Sequence, residues 1–280
     1  MGCGKKKALS AVLLLTLMVS CVQMIAHWRD EYQAKQASQM ALSMTVPSTQ
    51  ATEPDIPRET EPPETEPAQP ASVWLPAPVE EADPCMEELG KKDLAALREV
   101  NPDVVGWIWI PGTYVNYPLM QGTDNDYYLN NTWNNIPSAY GSIFVECRNR
   151  GDLSDFNTII YGHNMNNGSM FATLKNYAGN YYRRMFPYVY ILTDDGVYRY
   201  EIFSTYTASV ESITYQLNFQ TLESREKFLN HALESGDYDS GIQPEATDRI
   251  ITLSTCVGWG GYDSRRVVHA RLKMMEVQSQ

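Results

Sequence analysis

From Val104 to Leu272, short runs of β-branched and aromatic residues alternate with turn signals, and this punctuation constrains the fold more than any other feature. Val104–Ile110 reads as a strand, closed by the turn Pro111-Gly112-Thr113, and Val115–Met120 follows. Gly141–Val145, Asn157–Tyr161, Tyr188–Leu192 and Val197–Tyr206 continue the series, with the hairpin signal Asp195-Gly196 between the last two. Arg249–Leu253 and Arg265–Leu272 complete it. Helices are few. One is expected through Leu89, Leu94, Leu97 and Val100, capped by Asp83 or Asp93 and ended at Asn101-Pro102; a second runs from Ser224 to Leu233. A short helix at 126–130 would be capped by Asp124. Many strands with few helices predict a mainly β fold, a closed antiparallel barrel of about eight strands.

The chain before this domain cannot build a core. Lys5 to Lys7 precede Ala8–Ala26, an apolar run without a charged residue. At ~1.5 Å per residue such a run is just long enough for a helix to cross a bilayer. The lysines before it and Asp30-Glu31 after it predict a cytoplasmic N-terminus. A cleaved signal peptide, or a lipoprotein signal acylated at Cys21, competes with this signal anchor; apolar residues continuing to Ala26 count against both. Residues 27–83 lack core-forming periodicity, and Glu53–Pro70 repeats Glu, Thr and Pro. Such composition predicts a disordered, extended stalk. The expected organisation is therefore a cytoplasmic N-terminus (1–7), a membrane span (8–26), a stalk (27–83), a folded domain (84–275) and a tail (276–280).

Charge and cysteine usage narrow the function. A net charge of −12 argues against nucleic acid as a partner. The five cysteines show no CxxC pair and no disulfide framework, and no His/Cys/carboxylate group has metal-ligand spacing, so neither metal nor cofactor is expected. Cys256 stands out because it ends the strand Thr252-Leu253-Ser254-Thr255-Cys256, faces the glycine-rich loop Val257–Ser264, and precedes Arg265 and Arg266. An exposed thiolate held by positive charge competes here with a small hydrophobe ending a core strand. Cys147, at the end of another strand, reads as a packed, inert thiol.

Among the histidines, His27 and His231 read as surface residues and His269 as a side chain on the outer face of the barrel. His163 follows the strand Thr158–Tyr161 and Gly162, and opens a polar loop, which predicts an exposed, positionable general acid or base. Acyl transfer needs a thiolate, a proton donor and a cation for the oxyanion. Cys256, His163 and either arginine supply those types, and strand parity does not choose between Arg265 and Arg266.

The segment Thr252–Cys256, with Arg266 ten positions on, resembles the active-site strand pair of the sortases, most closely class B. Tyr161-Gly162-His163-Asn164-Met165 resembles the family's histidine segment. Val104–Ile108, Tyr117–Gly122 and Gly141–Phe144 resemble its other landmarks, so the likeness spans about 94–272. Sortases are membrane-anchored cysteine transpeptidases, mostly of Gram-positive bacteria. They cleave a C-terminal sorting signal and join the new carboxyl end to an amine of a peptidoglycan precursor or a pilin lysine.

The resemblance implies Cys256 as nucleophile, His163 as proton donor and acceptor, and Arg266 as the substrate and oxyanion cation, with Arg265 as fallback. It further implies Asn125, Leu129, Tyr161 and Ser254 in the sorting-signal groove, and more weakly Tyr215. Thr205–Gln243 would be the class's long helical insertion between strands. Two features depart from the pattern: Val257 replaces an often acidic residue, and Gly258–Gly261 is unusually rich in glycine. An L,D-transpeptidase, a papain-like hydrolase and a non-catalytic stalked binding module are the competing readings. The first lacks its glycine before the cysteine, where Thr255 stands; the second has its cysteine early, at a helix start.

Overall fold

The computed structural model describes residues 3–45, 83–257 and 263–276, with side chains from residue 15 onward. Eight strands close a barrel: β1 (Val104–Trp109), β2 (Asn116–Met120), β3 (Ile143–Val145), β4 (Asn157–Tyr161), β5 (Tyr188–Thr193), β6 (Gly196–Ser209), β7 (Ile250–Cys256) and β8 (Ser264–Glu276). Around the barrel they run β1-β2-β3-β4-β7-β8-β6-β5. The expectation of an antiparallel barrel needs correction at two joints, because β2–β3 and β4–β7 pair in parallel. A parallel pair needs a long crossover, and residues 121–142 and 162–249 supply one in each case.

Alternation along the strands sorts the core. Ile108, Leu119, Ile143, Ile160, Ile251, Leu253 and Val268 fill the interior. Their neighbours Trp107, Met120 and Phe144 face outward under two short helices. The single helix expected near 89–100 is two: α2 (Pro84–Gly90), capped by Asp83, and α3 (Leu94–Val100), capped by Asp93. Both predicted caps are used: the Asp83 side chain accepts from the Cys85 amide and the Asp93 side chain from the Ala96 amide. A 3-10 turn spans Tyr127–Leu129, and Asp124 accepts hydrogen bonds from the Asp126 and Tyr127 amides there.

After the small helix α4 (Asn180–Met185), the insertion between β6 and β7 begins past Ser209, since Thr205 is still in β6 and pairs with Val268. It carries a 3-10 turn at Ile213–Tyr215 and α5 (Leu222–Glu234), whose N-terminus is closed by a Thr221–Ser224 capping box. Phe228, Leu229 and Ala232 of α5 pack with Phe156, Phe203, Ile250 and Val267 on the outside of the barrel.

At the other end of the chain, α1 runs from Cys3 to Ser43, so the irregular segment does not begin at His27 as expected. Ala34, Ala37 and Ala41 lie on one face of α1 and are buried against the barrel domain, with Ala34 in the barrel cluster and the other two in the α2–α3 cluster. Small side chains let the helix backbone come close, and the Trp133 indole donates to the Ala37 carbonyl at 2.8 Å. Lys92 caps the helix end by donating to Leu42 O at 2.9 Å, and Thr45 bridges to Lys92. Among the described residues no helix is long and apolar enough to cross a membrane. The side chains of 8–14, the first part of the expected span, and the Glu/Thr/Pro repeat both lie outside the described residues.

Candidate active site

The parallel register of β4 and β7 sets Tyr161 beside Ser254. Two residues further along each chain, His163 and Cys256 therefore reach the same rim of the barrel. Gly162 N–H donates to Ser254 O, and the Asn164 carboxamide donates to the Cys256 carbonyl at 2.9 Å, which ties the two chain segments together past the strand ends. Gly162 is required for this approach: a Cβ there would stand 2.5 Å from Ile143 Cδ1 and 2.8 Å from the Phe171 ring.

Cys256 is exposed. His163 is half-buried rather than fully exposed. Its Nε2 lies 2.7 Å from the Leu129 carbonyl oxygen, so that nitrogen carries a proton and donates it. A backbone carbonyl thus orients the imidazole, a partner that side-chain motifs cannot reveal. Leu129 reaches the site from the 3-10 turn, and Asn125 lies four residues before it.

The antiparallel ribbon β7–β8 settles the arginines by register. Cys256 pairs with Arg265, and Thr255 pairs with Arg266. Directly paired residues project from the same face of a sheet. Cys256 therefore shares its face with Ser254 and Arg265, while Arg266 projects from the other face with Thr255. Arg266 is 9% exposed and forms an ion pair with Asp237 at 2.6 Å. The assignment of the substrate cation to Arg266 is corrected accordingly: spacing from the cysteine pointed to it, but the ribbon turns its guanidinium away and Asp237 holds it.

Tyr215 does reach the site, and its phenol lies 2.8 Å from Ser254 Oγ. Burial raises its pKa, with Cys256 adding to the shift and Ser254 and Arg265 opposing it. All three groups are therefore close to one phenol. Beside Ser254, Tyr161 donates to Glu146 Oε2 at 3.0 Å, and burial together with that carboxylate pushes the phenol well above its ordinary range. Asn125 donates to the same oxygen at 2.8 Å and accepts from the Cys147 amide. Glu146 was missed by the sequence reading. Its only signal was an acidic residue directly after the apolar strand Ile143–Val145. Among the described residues no cluster of His, Cys, Asp and Glu could hold a metal ion.

A barrel rim carrying an exposed cysteine, a histidine and an arginine is the arrangement of a sortase-type cysteine transpeptidase, and the comparisons agree. The family model described as the sortase domain matches residues 108–273. Sortase B of Listeria monocytogenes is 38% identical over 181 residues, covering 64% of this chain and 72% of that protein. Sortase B of Staphylococcus aureus is 30% identical over 182 residues, covering 65% and 75%. Among solved structures, Clostridium perfringens sortase B superimposes with a TM-score of 0.61 at 34% identity, covering 65% of this chain and 100% of that one. The chain belongs to the sortase family, in its class B, and is a cysteine transpeptidase. The L,D-transpeptidase, papain-like and non-catalytic readings are thereby set aside.

Proposed function

We propose that this protein is a membrane-anchored sortase that cleaves a C-terminal sorting signal through Cys256 and transfers the acyl portion to an amine. The observation that carries the residue roles is the pairing of exposed Cys256 with Arg265 on one face, beside His163 at the same rim. The Cys256 thiolate attacks the scissile carbonyl, a C–S bond forms, and a tetrahedral oxyanion develops. Arg265 neutralises that oxygen, and the Val257 amide is placed next in the chain to assist. His163 gives its Nδ1 proton to the departing amine as the C–N bond breaks, while Nε2–H stays on Leu129 O. The incoming amine then attacks the thioester, loses a proton to His163, and releases the thiolate as the C–S bond breaks.

Asn125, Leu129, Tyr161, Ser254 and Tyr215 form the walls that receive the sorting signal. One solved relative is described as a sortase B–substrate complex from Staphylococcus aureus, which supports a peptide groove in the same place. The acceptor is an amine of a peptidoglycan precursor or of a pilin.

Membrane attachment through 8–26 is supported by the exposed apolar side chains of the α1 portion described: Leu15, Leu17, Met18, Val19, Val22, Met24 and Ile25, with Trp28 beyond them, all at least half exposed. A soluble surface rarely carries such a run, and Trp at its end suits a membrane interface. In this arrangement the N-terminus is cytoplasmic and the barrel extracytoplasmic.

The test uses the full-length chain in detergent with a thiol-reactive sorting-signal analogue. A covalent adduct should form on the parent and vanish in Cys256→Ala. Equal labelling of both would sink the assignment, and a product yield unchanged by added amine would make the enzyme a hydrolase.

A further inference from the structure

Glu146 is a carboxylate with no place in the transfer chemistry, yet it is buried almost completely, at 1% exposure. It stands just past β3, where its amide still bonds to Ile159 O. Its Oε1 accepts from Arg148 Nε at 2.7 Å and from the Arg148 amide. Its Oε2 accepts from Asn125 Nδ2 at 2.8 Å and Tyr161 Oη at 3.0 Å. Burial acts to raise the carboxyl's pKa, but hydrogen bonds from Arg148 and Tyr161 outweigh it and hold the group ionised. Asn125 and Tyr161 come from segments 36 positions apart in the chain. One oxygen atom joins them.

That junction determines what each residue can offer a peptide. Asn125 Oδ1 is taken by the Cys147 amide, which directs Nδ2 toward Glu146 and leaves its second N–H for a ligand. The Tyr161 hydroxyl is spent on Glu146, so Tyr161 presents its ring. Phe144 packs against that ring, with centroids 5.4 Å apart, and fixes its other side.

We propose that Glu146 is the positioning residue of the sorting-signal groove, holding the Asn125 amide and the Tyr161 ring in the geometry that binds the peptide. It acts through those two residues and not on the reacting atoms. The proposal rests on the groove assignment made above.

The probe is the fluorogenic peptide that the full-length parent cleaves fastest from a library. Active thiols are counted by saturating reaction with the thiol-reactive sorting-signal analogue, read as the peptide adduct on Cys256, so that misfolded protein does not enter kcat. Glu146→Ala should raise KM about tenfold, since it takes from Asn125 and Tyr161 the acceptor they share, with kcat per active thiol within about twofold. Glu146→Gln, which keeps the shape and one acceptor oxygen, should raise KM less and serves if the alanine variant folds poorly. The pH profile of kcat should not move, because His163 keeps its bond to Leu129. In a Cys256→Ala background, peptide Kd should weaken in step with KM.

A fall in kcat per active thiol at unchanged KM would overturn the proposal, and so would unaltered kinetics in both variants. A parent that binds and cleaves no library peptide would instead remove the functional reading, and this role with it.

Discussion

Arg265 and Arg266 are neighbours in sequence, chemically identical, and placed on opposite faces of one ribbon. Only Arg265 shares its face with Cys256, which under the proposed mechanism sets it toward the oxyanion of the attacked carbonyl. Arg265→Ala should lower kcat/KM about a hundredfold or more, in the range of losing an oxyanion donor. Arg266→Ala breaks the ion pair with Asp237 and should instead cost about 2 kcal/mol of stability, read as a lower urea midpoint, while turnover per active thiol changes little. The reverse pattern would restore Arg266 to the site. The convergence of Cys256 and His163 on one rim was legible because Cys256 ends β7 and His163 follows the end of β4, each in a recognisable motif. The arginine was not, because residue counting across a loop cannot give register, and one step of register exchanges the faces. Glu146 and the Leu129 carbonyl were hidden for another reason: their roles exist only where distant segments meet.

At the scale of elements, the β7–β8 ribbon is backed by α5, and a fully buried polar chain lies between them. Thr252 Oγ1 bonds to Asn157 and lies 3.0 Å from His269 Nδ1; His269 Nε2 lies 3.1 Å from the Tyr206 hydroxyl, which bonds to Thr214. His269 was expected on the outer face of the barrel, and that face proves to be covered by Phe228 of α5. Burial draws its pKa down to about 3, with His231 contributing.

The unfolded chain takes up this proton near pH 6.5 and the native protein does not, so the native state is at full strength above that pH. It loses about 1.4 kcal/mol per unit as pH falls from there toward 3. The unfolding temperature should therefore drop from pH 7 to pH 4 more steeply in the parent than in His269→Gln. Parallel curves would mean that His269 is not buried neutral. All eight strands were readable from alternation and turns, within a few residues at their ends. The two parallel joints were not, because side-chain alternation is the same whichever way a partner runs.

Across the whole molecule, α1 and the barrel domain act as one body. The apolar composition of 8–26 was plain in the sequence, but the docking of residues 34–41 was not, since three alanines among polar residues give little hydropathic signal. Asp83, where the described residues resume, stands one short helix before the Lys92 that bridges back to Thr45.

The docking of α1 has a consequence for a chain cut between residues 45 and 83. Peptide bonds between Thr45 and Asp83 link α1 to the barrel, and a Glu/Thr/Pro-rich composition favours proteolytic nicking. Yet Ala34, Ala37 and Ala41 stay buried, and Trp133 and Lys92 still hold α1 carbonyls, whether or not the chain is intact. With a specific protease site placed near Arg58, the cut pieces should co-elute in native buffer and separate only in denaturant. Native separation would show that the docked face is too weak to matter. A nicked chain whose pieces stay together keeps the barrel docked on α1 after the cut.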